Sequence, residues 1–127
     1  MNAKCQKAIQ TKLAKGLLDM IILEQLEKES MHGYQLITTI RKSFGVYFGP
    51  STIYPLLAQL EKKGQLQSVW NMTGDRPRKE YKLTEEGKSL LSMTEMTLAM
   101  ICQQMNPEKA PKPQTMNFVM ALKTINH

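Results

Sequence analysis

Two amphipathic helical stretches, separated by a break marked with glycine and proline, confine this chain more than any other feature. Gly33, Leu36, Ile37, Ile40 and Phe44 recur at helical spacing and so share one face of a helix, for which Ser30 is a suitable N-cap. Gly45 and the Gly49-Pro50 pair then end the pattern. Pro50 suits the first position of a new helix, because its missing N–H would have no intrahelical partner there. Ile53, Leu56, Leu57 and Leu60 form the buried stripe of that second helix, and Gly64 ends it. Pro55 falls inside it and removes one hydrogen bond, at a cost that is lower in the first two turns. Two helices joined by so tight a connection match a helix-turn-helix, whose second helix presents its N-terminal residues to base edges.

The flanking segments complete a mainly α fold with a small β-hairpin. Leu13, Leu17, Met20 and Ile21, with Leu18, Ile22 and Leu26 beside them, predict a first helix that is well buried. After Gly64 the pattern shortens to 65–70 and 78–84, joined through NMTGDRP, which reads as a hairpin with a polar tip. Thr84 caps a last helix with Glu85 and Glu86 in its first turn, where the helix dipole favours acids. Positions 91, 94, 98, 101 and 105 of that helix alternate three and four apart, as in a coiled-coil seam. The expected organisation is a winged helix-turn-helix domain with an N-terminal helix over 1–84, a dimerisation helix over 85–105, and a linker with a short terminal helix over 106–127. Six of the ten methionines follow residue 84, a composition that suits adaptable packing in a core or dimer and also the lining of a ligand site.

Charge narrows the choice of partner. The net charge of +6 is uneven: residues 1–15 and 41–84 are basic, while 16–40 are acidic. A basic middle segment suits a polyanion, because neutralising phosphates releases condensed counterions. The 127 residues fit one domain, and the apolar run from Gly16 to Leu23 is far short of a membrane span. The polar N-terminus lacks the pattern of a secretory signal, so the cytoplasm is the default location. Cys5 and Cys102 lie at opposite ends, and neither His32 nor His127 has a partner at metal-ligand spacing, so no metal site and no cofactor is expected. A phosphate loop, a zinc-protease helix and a nucleophile elbow are all missing, which leaves little for an enzyme.

Candidate contacts with double-stranded DNA follow from position. Ser51 and Thr52 open the second helix and can reach phosphates or bases, and Tyr54 can offer its hydroxyl. The rival reading has the two hydroxyls satisfying helix-start amides and Tyr54 half-buried. Arg76, Arg78 and Lys79 extend from the hairpin and can clamp phosphates or enter a minor groove, with Asp75 and Glu80 limiting the local potential. Lys62 at the end of the helix joins the candidate set, although it also serves as a helix-end charge favoured by the dipole. A winged-helix module that binds protein or RNA is the alternative, since the fold does not fix its partner.

Three stretches, MHGYQL at Met31 to Leu36, STIYPLLAQLEKKG at Ser51 to Gly64 and RKEYKLTEEG at Arg78 to Gly87, resemble the PadR family of transcriptional regulators. The resemblance runs from about Leu13 to about Leu98. It implies a homodimeric repressor or activator whose C-terminal helix packs on the partner subunit and whose Tyr54 helix enters the major groove. In some members of the family small aromatic effectors act at or near the dimer interface, which makes such an effector a further expected partner. Two positions depart from the pattern: Gln65 stands where an apolar residue is usual, and Glu80 where an aromatic is common. Gly33 is expected to permit close helix approach, and His32 to be a hydrogen-bonded turn residue.

Overall fold

The computed structural model describes residues 2–108; the expected short terminal helix and most of the linker lie outside them. The element order is α1 (Ala3–Gly16), α2 (Leu18–Lys28), β1 (Met31–His32), α3 (Gly33–Phe44), α4 (Pro50–Lys62), β2 (Leu66–Asn71), β3 (Arg78–Leu83) and α5 (Glu85–Met105). The strands form one antiparallel sheet in the order β1-β3-β2. This is a winged helix-turn-helix, mostly helical, with β2 and β3 as the wing. None of the described helices is long and apolar enough to cross a membrane.

Three local expectations are corrected. The single N-terminal helix is two helices, divided at Leu17, where φ and ψ are −106° and 12°. Gly16, a poor helix former, stands just before the break. The division removes α1 from the core: Leu13 is 61% exposed and Ala14 is the buried residue of that helix, whereas Leu18, Ile21, Ile22, Leu23 and Leu26 of α2 are buried. Ser30 does not cap α3. His32 does, its Nδ1 accepting from the Gln35 N–H at 3.1 Å. The chain between the two is strand β1, with Met31 opposite Tyr81 and His32 opposite Glu80, so the hairpin gains a third strand. A two-residue strand is too short to leave an alternation in sequence.

The helix-turn-helix forms as its periodicity requires. Leu36, Ile37 and Ile40 of α3 meet Ile53, Leu57 and Leu60 of α4 in the buried core, with Leu56 and Phe44 partly buried against it. Burying each such side chain contributes about 1.5–3 kcal/mol. Gly64 follows α4 with φ 80°, and the Gln65 N–H reaches back to the Leu60 carbonyl at 3.0 Å, which turns the chain sharply into β2. Thr84 caps α5 through its hydroxyl, which accepts from the Gly87 N–H at 3.1 Å and donates to the Gly64 carbonyl at 2.7 Å. One side chain thus ties the ends of α4 and β3 to the start of α5. On the far side, Lys7 and Gln10 of α1 donate to the main-chain carbonyls of Gly45 and Phe44 at the end of α3.

The chain falls into two compact units, residues 1–91 and 92–127. The first holds the core just described, including Leu91 at the first turns of α5. The described part of the second is the remainder of α5, on which Met93, Met96, Met100, Ile101 and Met105 are exposed. Of the predicted seam in this unit, Thr94 and Leu98 are half-buried, and Ile101 and Met105 are open to solvent.

Candidate nucleic-acid interface

Pro50 stands at the first turn of α4, so Ser51 and Thr52 project from the helix start, where both are exposed. Neither hydroxyl is engaged in a hydrogen bond among the described residues. The same end carries the positive pole of the helix dipole. Pro55 sits one turn on in a continuous helix and has no N–H to give the Ser51 carbonyl. The first turn of α4 therefore offers two free hydroxyls and a carbonyl that lacks its usual helical donor.

Tyr54 lies beside this end at 43% exposure, and its position has a clear local cause. A β-carbon on Gly33 would fall 2.5 Å from ring atoms of Tyr54. Glycine at 33 is what allows the ring to lie across the start of α3. The ring forms one wall of an open groove of about 510 Å³, whose other walls include Tyr34 of α3, Trp70 of β2 and Arg76, Arg78 and Lys79 of the wing. Side chains from three separate segments thus converge: the helix-turn-helix pair, the wing strands and the wing tip.

The predicted residues do not all stand together. Tyr54, Arg76, Arg78 and Lys79 share the groove, with Ser51 and Thr52 exposed at the same end of α4. Lys62 is exposed in the last turn of α4, at the opposite end of a 13-residue helix. Arg76 and Arg78 are exposed; Arg78 Nη1 lies 3.1 Å from His32 Nε2. Lys79 is partly committed elsewhere. Its ammonium meets Glu61 of α4 at 3.3 Å and lies 5.6 Å from the Tyr81 ring centroid. Glu61 also accepts from the Ser68 hydroxyl, and that bond, assisted by Lys79, holds its carboxyl below the usual carboxylate range. Burial pushes the Tyr81 phenol up. Lys79 therefore clamps the wing to α4 and supplies less free charge than the arginines.

His32, Tyr34 and Trp70 of the groove were not among the sequence candidates. Trp70 carried a signal: it is the only tryptophan, it follows Val69 in a short apolar strand, and the hairpin register sets it opposite Lys79. Its 60% exposure is unusual for so large an apolar ring. The two departures from the family pattern also acquire places. Glu80 accepts from the Asn71 amide at 2.9 Å, and Asn71 Oδ1 accepts from the Thr73 N–H at 3.0 Å, which orders the wing where it leaves β2. Gln65 has a buried side-chain oxygen with no hydrogen-bond partner among the described residues. Those residues also contain no cluster of three or more His, Cys, Asp or Glu side chains placed to hold a metal ion.

Residues 22–93 match the family model described as the transcriptional regulator PadR-like family. The crystal structure of a PadR family transcriptional regulator from Eggerthella lenta is 32% identical to this chain, with a TM-score of 0.73 over 82% of this chain and 91% of that one. A PadR family transcription regulator from Clostridium difficile is 29% identical, with a TM-score of 0.65 over 72% of this chain and 96% of its own. Among curated proteins, an uncharacterised protein of Lysinibacillus sphaericus is 29% identical over 87 residues, which are 66% of this chain and 80% of the relative.

Proposed function

From the premise that the chain belongs to the PadR-like family of transcriptional regulators, we propose that it is a homodimeric, sequence-specific repressor that reads double-stranded DNA with α4. Ser51, Thr52 and Tyr54 face the major groove, and Arg76 and Arg78 hold the backbone or enter the minor groove beside it. Lys79 and Lys62 add longer-range attraction. The observation that carries this reading is the convergence of Tyr54 with the wing arginines on one groove, next to free hydroxyls at the start of α4.

The dimer is supported by the exposed Met93, Met96, Met100, Ile101 and Met105 on α5, an apolar surface that a second copy would cover. A symmetric dimer presents its two reading helices to half-sites about one helical turn, about 34 Å, apart. A small aromatic effector acting near that interface is the regulatory part of the proposal, and methionine-rich surfaces are adaptable enough to receive one.

Selection of bound fragments from genomic DNA tests the reading directly. A pseudo-palindromic motif should emerge, and a reporter carrying it at its promoter should fall in output when the protein is present. Recovery of random fragments, or equal retention of RNA, would replace the DNA reading with the general binding module. A screen of aromatic acids and amines for release of the selected duplex addresses the effector.

A further inference from the structure

His32 stands where β1 runs into α3, and both of its ring nitrogens have close neighbours. Nδ1 accepts from the Gln35 N–H at 3.1 Å as the cap of α3. A nitrogen that accepts carries no proton, and a neutral imidazole has one N–H, so the proton is on Nε2. The imidazolium would carry a proton at Nε2 as well. Yet the group 3.1 Å from Nε2 is Arg78 Nη1, part of a guanidinium that donates and never accepts. Two donors therefore face each other at hydrogen-bond distance, and among the described residues no acceptor serves both.

The neighbouring groups do not supply it. Glu80, opposite His32 in the strand register, receives the Asn71 amide, and neither His32 nor Arg78 donates to it. Asp75 near the wing tip does not line the groove, whose other charged members are Arg76 and Lys79, the latter paired with Glu61. Tyr34 and Tyr54 also line the groove, but neither phenol oxygen accepts from His32 or Arg78. The groove thus holds an excess of charged donors over acceptors and is open to solvent.

We propose that His32 is a DNA-contacting residue, its Nε2–H and the Arg78 guanidinium together donating to one non-bridging oxygen of a backbone phosphate that lies in this groove. The contact deepens the DNA-binding reading and rests on it. It also gives the cap of α3 a second role, because the hydrogen bond from Gln35 fixes the tautomer that makes Nε2 a donor. A phosphate gripped at the start of α3 and at the wing would set the depth at which α4 enters the groove.

The test uses the full chain and a random-sequence duplex at low salt, since a phosphate contact needs no particular sequence, with the selected duplex as a second probe. His32→Asn keeps an oxygen able to cap α3 and removes the Nε2 donor. It should leave the circular dichroism spectrum unchanged and weaken both duplexes about threefold to tenfold, the worth of one hydrogen bond. Its slope of log affinity against log salt should equal the parent's, because the lost donor is neutral. Arg78→Gln should lower that slope by about one. The double variant should bind more tightly than the product of the two single losses predicts, because the two groups share one phosphate. A folded His32→Asn that binds like the parent, or losses that multiply independently, would overturn the proposal. Nitrogen-15 NMR of the parent decides the matter even if that variant fails to fold. A bare Nδ1 and a protonated Nε2 whose resonance moves on adding duplex are expected; a protonated Nδ1, or an unmoved Nε2, defeats the proposal. Sodium phosphate at matched ionic strength moving the signal as far as DNA does would reassign the site to free phosphate. A parent that binds no duplex would instead defeat the DNA reading itself, an outcome distinct from a parent that binds and a variant that binds equally.

Discussion

Gly33 sets the aim of Tyr54 by what it lacks, so the smallest change there has a large expected effect. Gly33→Ala puts a methyl group 2.5 Å from the Tyr54 ring. The ring must swing out of the groove or α3 and α4 must part, at about 1–3 kcal/mol of stability. Affinity for the selected duplex should fall along with the melting temperature, whereas Tyr54→Ala should lose affinity with little change in melting. Anisotropy titrations beside thermal melts of the two variants separate aim from contact. At Gln65 the expectation runs the other way. Its buried amide oxygen has no partner among the described residues, and an unsatisfied buried polar atom costs about 1–3 kcal/mol. Gln65→Met, close in shape and without the oxygen, should raise the melting temperature by a few degrees, and an unchanged or lower value would mean that the oxygen is solvated in the native state. The close approach at Gly33 was readable from the motif around it. The partners of His32 and Lys79 were not, because the approach of Arg78 to His32 and the pairing of Lys79 with Glu61 join residues 46 and 18 positions apart.

At the scale of elements, the wing is held to α4 by a small charged network. Glu61 of α4 accepts from Ser68 of β2 and Lys79 of β3. Its folded-state carboxyl lies below the ordinary value of 4.5, so the unfolded chain takes up a proton first as acid is added. The network therefore contributes stability that is fully present above about pH 5.5 and is lost as pH falls through the lowered folded value. Glu61→Gln should melt slightly below the parent at neutral pH and converge with it once the pH has fallen through the lowered folded-state value. The gap should be small, on the order of 1 kcal/mol or less, since both side chains are about a third exposed. A gap that persists at low pH would show that packing, not charge, is what the variant lost. Elements with several periodic repeats, α3, α4 and α5, were plain from sequence. Leu17 and β1 were not: a break one residue long and a strand of two residues leave less periodicity than the noise of neighbouring apolar residues.

For the whole molecule, the decisive question is what covers α5. Met100→Lys together with Ile101→Lys puts two charges on its exposed apolar surface, and neither residue belongs to the core of the first unit. The variant should retain the parent's melting of residues up to Leu91, and it should sediment as a monomer at micromolar concentration if the dimer reading is right. Duplex affinity should then fall by more than about tenfold, because each reading helix would bind without the effective concentration supplied by its twin. A double variant that stays dimeric would move the interface elsewhere. Sequence periodicity suggested a seam on this helix but could not say how the seam is paired, since one helix face shows only half of any interface.

The seat of Tyr54 on Gly33 has an evolutionary consequence. A ring seated against a neighbouring backbone works like a key in a keyway: together with the buried Ile53, Leu57 and Leu60 it seats α4 on α3 without involving Ser51 or Thr52. Those two positions, exposed and unbonded, can then drift without re-aiming the helix or loosening the core. If those two residues read bases as proposed, duplicated copies of such a gene could acquire new target sequences through substitutions at these two positions, and a designer who wishes to retarget the protein should randomise 51 and 52 and leave 33 and 54 alone.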